Sequence, residues 1–550
     1  MPKPHIKNLA TIHDLADELT YVRILLRTTR NKTKKIEVLR SETSDYKQLE
    51  RRFLDAGAEL PKAGEARRTF IVNAVEGPSQ VQIRRLAQSG WLKSFKAFAV
   101  QSSIVGHRSQ LFEGPKLGPN ITTPQLRVTG TARSWRDSVG SLSRRSSYFM
   151  LSISAAFAAP LLKMVGEESF AICFSGSSRT GKSAATLAGA SAIGFATKQE
   201  MLNWNISEAA LGQQLALFND CMVPLDDLEN MKGGDAAKYE QIRSVTYGIA
   251  AGTEKVRHSH AKLPSNPWRT ILITSMEKTI QDLSIAAKKS RNHGESVRMI
   301  DVPMLESGRT HIFDRAQEVG IKATGTWKVR RFANMNKACL ENHGAAFRRH
   351  VSLLCRKPEA ATTVKKYRER FVRTVITGED GDVARDVARK FGLIYAGGLL
   401  ATDFGLVPWK SNDVMVATRI CYLAARSLLP DKGVAIRKGR SALHRFLGTL
   451  KRKREINDFR AEPGFVTKKG GQSVYLISVD AFNNAFASRE DLDLTLNWLQ
   501  QEKLIAMASV KSGPPRLKSQ FSWPHGRRRS FKITLPPGSR LDNILTGSAT

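Results

Sequence analysis

One short segment of the sequence has residue types and spacing that can bind phosphate groups. It reads Gly-x-x-x-x-Gly-Lys-Ser, and it follows an apolar run and precedes an alanine-rich stretch. A phosphate loop needs small side chains so that backbone N–H groups can turn inward at a helix N-terminus. By average residue usage, the four fixed positions recur by chance in a chain of this length about 2% of the time. The segment therefore predicts a Walker A loop with these nucleotide-binding residues: Gly176, Ser177, Ser178, Arg179, Thr180, Gly181, Lys182 and Ser183.

The chemistry of such a loop assigns roles to its last two residues. We expect Lys182 to reach the β- and γ-phosphates of ATP and to take part in catalysis, and Ser183 to ligate Mg²⁺. ATP and magnesium are the predicted cofactors.

A second candidate element is an apolar run that ends in two carboxylates, Asp226 and Asp227, 44 residues after Lys182. Hydrolysis needs a carboxylate for the metal and a group that orients water. We expect Asp226 to hold Mg²⁺ and Asp227 to be the catalytic residue, with Glu229 as the alternative base. An exposed acidic turn is the other interpretation. Pro224 within the run indicates an edge strand or a bulge.

A third apolar run, TILITS, ends in two hydroxyls and predicts the polar sensor of ring ATPases, which we assign to Thr274 with Ser275 as the alternative. The preceding stretch predicts a basic hairpin that touches nucleic acid through Lys255, Arg257 and Lys262, although an ordinary exposed hairpin fits equally well.

Arg298 is the candidate catalytic cation that would reach the γ-phosphate on a neighbouring subunit. A core ion pair with Asp301 is an equally good interpretation of this arginine. Three further arginines compete for the trans-acting or sensor role, namely Arg291, Arg385 and Arg389.

The elements that must position these residues alternate between β-like and helical segments. This pattern over residues 169–303 predicts a parallel sheet with crossover helices. The fold class is α/β, and we expect a P-loop NTPase core with a helical subdomain and a C-terminal winged-helix-like domain. The expected domains are 1–129 (helical to about residue 70, including a helix over residues 14–30, then mixed or β-rich), 130–310 (ATPase core), 311–430 (helical) and 431–550 (basic, winged-helix-like).

The charge of the chain indicates a polyanionic partner. Lys and Arg number 86 against 50 Asp and Glu, a formal net charge of +36, and the basic residues lie in short clusters along the whole chain. This distribution favours a track along nucleic-acid phosphates, DNA rather than RNA.

Cysteine usage and apolar stretches favour a cytoplasmic protein. The five cysteines form no C-x-x-C pair and are expected to be buried thiols. The first residues lack the apolar core of a secretory signal. The uncharged stretch 146–162 is broken by Pro160 and is expected to be a buried helix, so no membrane partner is predicted.

Several blocks in order resemble one known family over residues 130–429. They are Gly130-Thr131 with Trp135, SISAAFAAPLL, GSSRTGKS, VPLDDL, WRTILITSMEK, GESVRMIDVP and ARKFGLIYAGGLLATDFGLVPW. Together they resemble the family of domains of unknown function numbered 927, found in primase/helicase-like proteins of phages, plasmids and integrative elements.

The resemblance implies a helicase-like ATPase that assembles as a homo-oligomeric ring, such as a hexamer, and serves replication of a mobile element. Two departures concern the rate of catalysis: the family tends to have Asp-Glu where this chain has Asp226-Asp227, and Met276 replaces a glycine. The patterns of a primase domain are absent before the core, so any primase is expected on a separate chain.

Two functions from different classes follow. The leading one is an ATP-dependent DNA helicase or translocase. The alternative is a DNA-binding replication initiator or defence ATPase that uses ATP as an assembly switch without unwinding. A P-loop kinase fits the charge and the length poorly.

Overall fold

The computed structural model describes most of the chain and separates it into two compact units. Unit 1 comprises Met1–Ile376 and Asp386–Leu428, and unit 2 comprises Thr377–Arg385 and Leu429–Thr550. The described residues are 5–16, 18–77, 79, 81–92, 95–107, 111–115, 124–226, 228, 231, 233–253, 267–304, 311–315, 325–487, 489–506, 517 and 519–537.

The amino-terminal part of unit 1 contains a five-stranded sheet in the order β3-β2-β1-β4-β8 and a three-stranded sheet in the order β5-β6-β7. Its elements are β1 Ile6–Asp14, β2 Thr20–Arg27, β3 Thr33–Leu39, α1 Tyr46–Asp55, α2 Glu65–Glu76, β4 Gln82–Arg85, β5 Gly90–Trp91, β6 Ala97–Val100, β7 Ser103–Gly106 and β8 Phe112–Glu113.

The helix predicted over residues 14–30 is wrong, because this region forms the end of β1 and the whole of β2. In β2, buried Val22, Ile24 and Leu26 alternate with less buried neighbours, which is the period of a half-buried strand. Antiparallel pairing with β1 buries this apolar face and overrides the helical spacing. Conversely, helix α2 extends to Glu76, into the region after about residue 70 that we expected to be mixed or β-rich.

The central sheet of unit 1 is parallel throughout and has the order β10-β11-β12-β9-β13. The four runs predicted as strands, FAICF, CMVPL, TILIT and RMIDV, form β9, β11, β12 and β13, so the mixed α/β core is confirmed. The elements are α3 Ala132–Trp135, α4 Ser141–Ser143, α5 Ser147–Ala158, α6 Leu161–Val165, β9 Phe170–Ser175, α7 Lys182–Ile193, β10 Leu202–Asn203, α8 Glu208–Leu217, β11 Met222–Asp226, α9 Asp235–Ala251, β12 Ile271–Met276, α10 Ile280–Ala286, α11 His293–Arg298 and β13 Met299–Pro303.

Strand β11 lies inside this sheet, so the edge predicted from Pro224 is wrong. The proline is tolerated because β10 pairs only with Leu225 and Asp226, while β12 pairs with the whole run from Met222 to Leu225. Helix α5 packs close to the sheet with every residue buried, as predicted for this uncharged stretch.

A group of helices follows the central sheet. They are α12 Gly325–Glu341, α13 Ala345–Leu354, α14 Ala360–Val375, α15 Asp382–Asp403 and α16 Ser411–Arg426.

Unit 2 combines three helices with a four-stranded antiparallel sheet in the order β14-β15-β17-β16. Its core joins side chains of α17, α18 and α19 to one face of the sheet. The predicted order of a basic helix, a strand, a helix and a final strand is present, with additional elements between them. The elements are α17 Lys432–Gly448, β14 Gly464–Lys469, β15 Gln472–Ser478, α18 Val479–Asn484, α19 Arg489–Gln501, β16 Ser519–Trp523 and β17 Gly526–Leu535.

The expectations about the cysteines and about membrane-spanning helices can be compared with this fold. Four cysteines are buried, Cys355 is half-buried, and all five are free thiols. Among the described residues, no helix combines the length and the hydropathy needed to cross a membrane.

The division into four domains stays a prediction, with the boundaries at 129/130 and 310/311 lying inside unit 1.

Candidate functional site

The glycine loop, residues 176–181, connects the end of β9 to the start of α7. Gly176 and Gly181 have φ values of 154° and 112°, and Arg179 between them has 61°. These values lie in the region that favours glycine, so the two glycines allow the turn that brings the chain from the sheet into the helix. Helix α7 begins at Lys182, which leaves its first N–H groups directed toward the loop.

Gly181 is required for a second reason, which is close packing against α12. A Cβ atom on this residue would lie 2.6 Å from the ring of Phe332 and 2.9 Å from Ile312. The loop is therefore braced by an aromatic ring that the sequence analysis did not identify.

The ammonium group of Lys182 is folded back onto the loop. It donates to the carbonyl oxygens of Gly176 at 2.7 Å and of Ser177 at 2.8 Å. Thr180 adds a hydrogen bond to the carbonyl of Ser177 at 2.9 Å. These contacts keep the positive charge at the mouth of the loop rather than in solvent, since Lys182 is only 9% exposed.

The carboxylate of Asp226 lies at the end of β11, two strands from β9, because β12 is inserted between them. From β12, the hydroxyl of Ser275 donates to Asp226 Oδ1 at 2.5 Å. Ser275 also lines a cavity of about 490 Å³ together with Lys182 and Ser183. The fold thus brings four of the predicted residues, Lys182, Ser183, Asp226 and Ser275, to one edge of the sheet.

Thr274, the first-named sensor candidate, has a different environment from Ser275. Its hydroxyl accepts a hydrogen bond from the indole N–H of Trp204 at 2.8 Å, and both residues are buried. Successive side chains of a strand point to opposite faces, so the two hydroxyls cannot serve the same partner. Of the two alternatives, Ser275 is the one that contacts Asp226.

Lys198, Glu277 and Phe332 also line the cavity, although the sequence analysis gave them no role. Glu277 follows β12 by one residue and adds a carboxylate to the cavity wall. The sequence could have indicated Glu277 as a site residue, because it directly follows the predicted sensor strand and loops at the carboxyl ends of parallel strands carry functional groups. Lys198 and Phe332 approach from elements that no sequence motif connects to the loop.

The candidate arginines separate into buried and accessible groups. Arg291 forms a buried ion pair with Asp301 at 2.9 Å, and the two side chains are 3% and 1% exposed. The core partner of Asp301 is therefore Arg291, not Arg298. Arg298 is half-buried at the end of α11, with its guanidinium 5.7 Å from the ring centre of Tyr247. Arg385 and Arg389 lie exposed on α15.

Several predicted residues fall outside the described part of the chain. They are the catalytic candidates Asp227 and Glu229 and the hairpin residues Lys255, Arg257 and Lys262. Their roles stay predictions.

The opposite edge of the sheet is tied to the amino-terminal strands. Asp220, directly before β11, accepts a hydrogen bond from the backbone N–H of Trp91 at 3.0 Å, and the Trp91 indole donates to the carbonyl of Pro160 at 2.7 Å. The side chain of Asn219 donates to the carbonyl of Ser89 at 2.9 Å. Burial raises the pKa of Asp220 to about 6, against the opposing hydrogen bond from Trp91.

Thiol chemistry does not belong to this site. Cys173 lies in β9, and complete burial raises the pKa of its thiol well above the ordinary value. A protonated, enclosed sulfur is not a nucleophile.

The family model described as "Domain of unknown function (DUF927)" matches residues 5–262, a range that includes the glycine loop and Asp226. The match covers 258 of the 550 residues and shows what this part of the chain is similar to. The resemblance predicted from the sequence is confirmed, although the DUF927 match begins and ends earlier than the predicted range of 130–429. A search among curated proteins found no match.

The overall fold is similar to that of a solved structure described as "SCCmec type IV Cch - active helicase". The two share 15% sequence identity with a TM-score of 0.55, over 99% of this chain and 96% of that one. At this identity the similarity concerns the fold. The C-terminal region of NrS-1 matches with 12% identity and a TM-score of 0.27, over 71% of this chain and 87% of that one, which is too weak to support an argument.

Proposed function

We propose that this protein is an ATP-dependent DNA helicase or translocase of a mobile genetic element, with its nucleotide site at the glycine loop. In this proposal the central sheet is a P-loop core of AAA+ or helicase-like type. Helices α12–α16 form a helical subdomain, and residues 431–550 form a winged-helix-like domain. The similarity of fold to a structure described as an active helicase and the match to the DUF927 model support the proposal.

One observation supports the proposed nucleotide site most directly: Lys182 and Ser275 line the same cavity. The hydroxyl of Ser275 in turn donates a hydrogen bond to the carboxylate of Asp226. The cavity volume of about 490 Å³ lies in the usual range for small-molecule sites. A lysine at a helix N-terminus and a loop of inward N–H groups fit a triphosphate. On binding, the phosphates would replace the carbonyls of Gly176 and Ser177 as partners of the Lys182 ammonium.

A magnesium ion fits the residues present, with Ser183 and Asp226 as the side chains that would hold it. Bound Mg²⁺ would neutralise charge on the phosphate oxygens during transfer. Ser275 fixes the orientation of the Asp226 carboxylate by donating to Oδ1. The group that orients water would be Asp227, with Glu277 as the described carboxylate in the cavity wall that can compete for this role.

The proposal extends to an assembly in which subunits complete one another's sites. Arg298 is the candidate for the cation that acts in trans, since it is partly accessible and has no carboxylate partner among the described residues. DNA is the proposed polyanion, and the net charge of +36 supports it. The hairpin residues Lys255, Arg257 and Lys262 would contribute to its binding.

ATP turnover is the first test. Wild type, Lys182→Ala and the matched control Lys366→Ala, which removes an exposed lysine of α14, would be assayed with and without single-stranded DNA at low and moderate salt. We expect turnover that DNA stimulates, that Lys182→Ala abolishes and that Lys366→Ala leaves unchanged.

An assay of forked-duplex unwinding distinguishes the helicase from the protein that uses ATP only as an assembly switch. Strand separation that requires ATP and Lys182 supports a helicase. DNA binding with negligible turnover would favour the replication initiator or defence ATPase, and turnover indifferent to DNA would contradict both functions.

A further inference from the structure

Unit 2 carries two basic segments that are distant in sequence and adjacent in space. The first is the loop segment Lys451–Arg454, and the second is Arg527–Arg529 at the start of β17. Both contact Glu462: Lys451 forms an ion pair with its carboxylate at 2.7 Å, and Arg528 donates to its backbone carbonyl at 3.1 Å. We call these two segments the basic end of unit 2.

The sheet fixes the position of the basic end. The backbone N–H of Val466 in β14 donates to the carbonyl of Lys451 at 3.1 Å, so the first segment runs beside the edge strand. Behind it, Ile456 packs with Phe465 and Trp523, and Arg528 lies over the Trp523 ring at 4.9 Å. The basic side chains of the basic end therefore project from backbone that is hydrogen-bonded and packed against the sheet.

Most of the charge at the basic end is accessible and uncompensated. Lys453, Arg527 and Arg529 are exposed, and their side chains make no hydrogen bond or ion pair with another described residue. Arg454 is 76% exposed and lies 4.0 Å from Glu455, a distance at which an exposed pair contributes little. Because side chains alternate along a strand, Arg527 and Arg529 face one side of the hairpin and Arg528 faces the other.

Helix α19 has the opposite character. Helices α18 and α19 follow each other as in a helix-turn-helix, in which the second helix enters the major groove. The α19 sequence, REDLDLTLNWLQQ, has three carboxylates against one arginine, and that arginine, Arg489, lies 3.5 Å from Asp493. Its apolar side, with Leu492, Leu496 and Leu499, is committed to the core. Asp493 is exposed on this helix, and its negative charge repels phosphates.

We propose that unit 2 holds double-stranded DNA through its basic end, by contacts to the phosphate backbone and without insertion of α19 into the major groove. Phe465 and Trp523 are only 5% exposed, so they offer no platform on which unpaired bases could stack. Binding by charge alone favours the duplex, which carries about one charge per 1.7 Å of axis. This inference rests on the proposed function for the choice of DNA as partner.

Fluorescence anisotropy of the full chain with two duplexes of unrelated sequence tests the proposal. Two variants each remove two cations, Arg527→Ala/Arg529→Ala and Lys453→Ala/Arg454→Ala. We expect each to weaken binding to both duplexes equally, and to reduce the slope of log K against log salt by about two.

Two control variants separate this surface from other effects. Lys365→Ala/Lys366→Ala removes the same charge from α14, and Arg489→Ala/Asn497→Ala alters exposed side chains of α19; both should bind like wild type. Thermal unfolding midpoints should match in all variants, since the replaced side chains are exposed.

The inference is overturned if either basic-end variant binds like wild type, or if the α19 variant accounts for the loss. ATP turnover measured on the same proteins keeps the two proposals separate. Turnover stimulated by DNA with no effect of the basic-end variants would contradict only this inference. If those variants lose DNA binding and the wild type shows no ATP turnover, the result would support this inference and contradict the proposed helicase or translocase function.

Discussion

Ser275 Oγ lies 2.5 Å from Asp226 Oδ1, although the two residues belong to different strands and are 49 positions apart in the chain. The contact joins β11 to β12 at the edge where the glycine loop begins. It gives the predicted metal carboxylate a fixed orientation, and it is made by Ser275 rather than by the adjacent Thr274. The role of either hydroxyl as the sensor stays a prediction.

Replacement of Ser275 should slow turnover. Ser275→Ala removes a hydrogen bond to a charged group, and such bonds contribute about 1.5–3 kcal/mol. If the orientation of Asp226 matters in the transition state, kcat should fall roughly 10- to 100-fold. Steady-state ATPase assays measure this effect.

Thr274→Val is the matched comparison for that variant. It leaves the Trp204 indole N–H without its partner and should lower the free energy of unfolding by about 1–3 kcal/mol with little change in kcat. A greater loss of turnover in Thr274→Val than in Ser275→Ala would restore Thr274 as the sensor.

Gly181→Ala should abolish nucleotide binding. The added Cβ would meet the Phe332 ring, and the φ of 112° is one that alanine rarely adopts. Gly181→Ala/Phe332→Ala removes the clash with the Phe332 ring but leaves the close contact with Ile312 and the backbone strain, so it should recover binding only in part. Titration with a fluorescent ATP analogue measures both, and full recovery would show that the packing contact alone requires glycine.

Arg291 and Arg298 should behave in opposite ways. Arg291→Met leaves the Asp301 carboxylate buried without its partner and should cost about 3–5 kcal/mol in stability, measured by urea unfolding. Arg298→Ala should cost less than about 1 kcal/mol, because it removes only a partly exposed contact with Tyr247.

The same Arg298→Ala protein tests action between subunits. If Arg298 completes a neighbour's site, turnover is lost in Arg298→Ala and partly restored when this variant is mixed with Lys182→Ala. A mixture that stays inactive would contradict a role in trans.

The buried carboxyl of Asp220 predicts a dependence of stability on pH. Its pKa of about 6 in the folded protein lies above its ordinary value, so the folded state binds this proton more tightly and wild-type stability decreases as pH rises from about 4 through about 6. Asp220→Asn removes this loss and should be more stable than wild type at pH 7.5, by on the order of 3 kcal/mol.

Urea unfolding of wild type and Asp220→Asn at pH 4 and pH 7.5 measures the effect, with Asp493→Asn on the exposed side of α19 as the control. The difference should vanish at pH 4. An equal difference at both pH values would show that the ionisation of Asp220 is not its cause.

The parallel strands could be predicted because they are short, apolar and separated by helical segments, and the glycine loop because its spacing is specific. The strands of the amino-terminal sheet could not. Residues 20–27 carry apolar side chains at spacings compatible with both a helix and a strand, and pairing with β1 decides between them.

The candidate site likewise contains residues that the sequence could predict and residues that it could not. Lys182 and Asp226 lie in local motifs and were predictable as candidates. Phe332 and Lys198 reach the cavity only through tertiary packing, and the choice between Thr274 and Ser275 depends on which face of β12 meets Asp226. No local pattern encodes a contact made across 49 residues of chain.

The contact between Trp91 and Asp220 also limits how the protein can be shortened. A chain that starts near Gly130, at the predicted domain boundary, would lose Trp91 and Ser89. The carbonyl of Pro160 and the side chains of Asn219 and Asp220 would then each lose a hydrogen-bond partner in the interior. The central sheet is therefore not expected to fold well without the amino-terminal strands, because residues that a motif-based truncation would discard complete one of its edges. Such a product should be recovered as aggregated or protease-sensitive material.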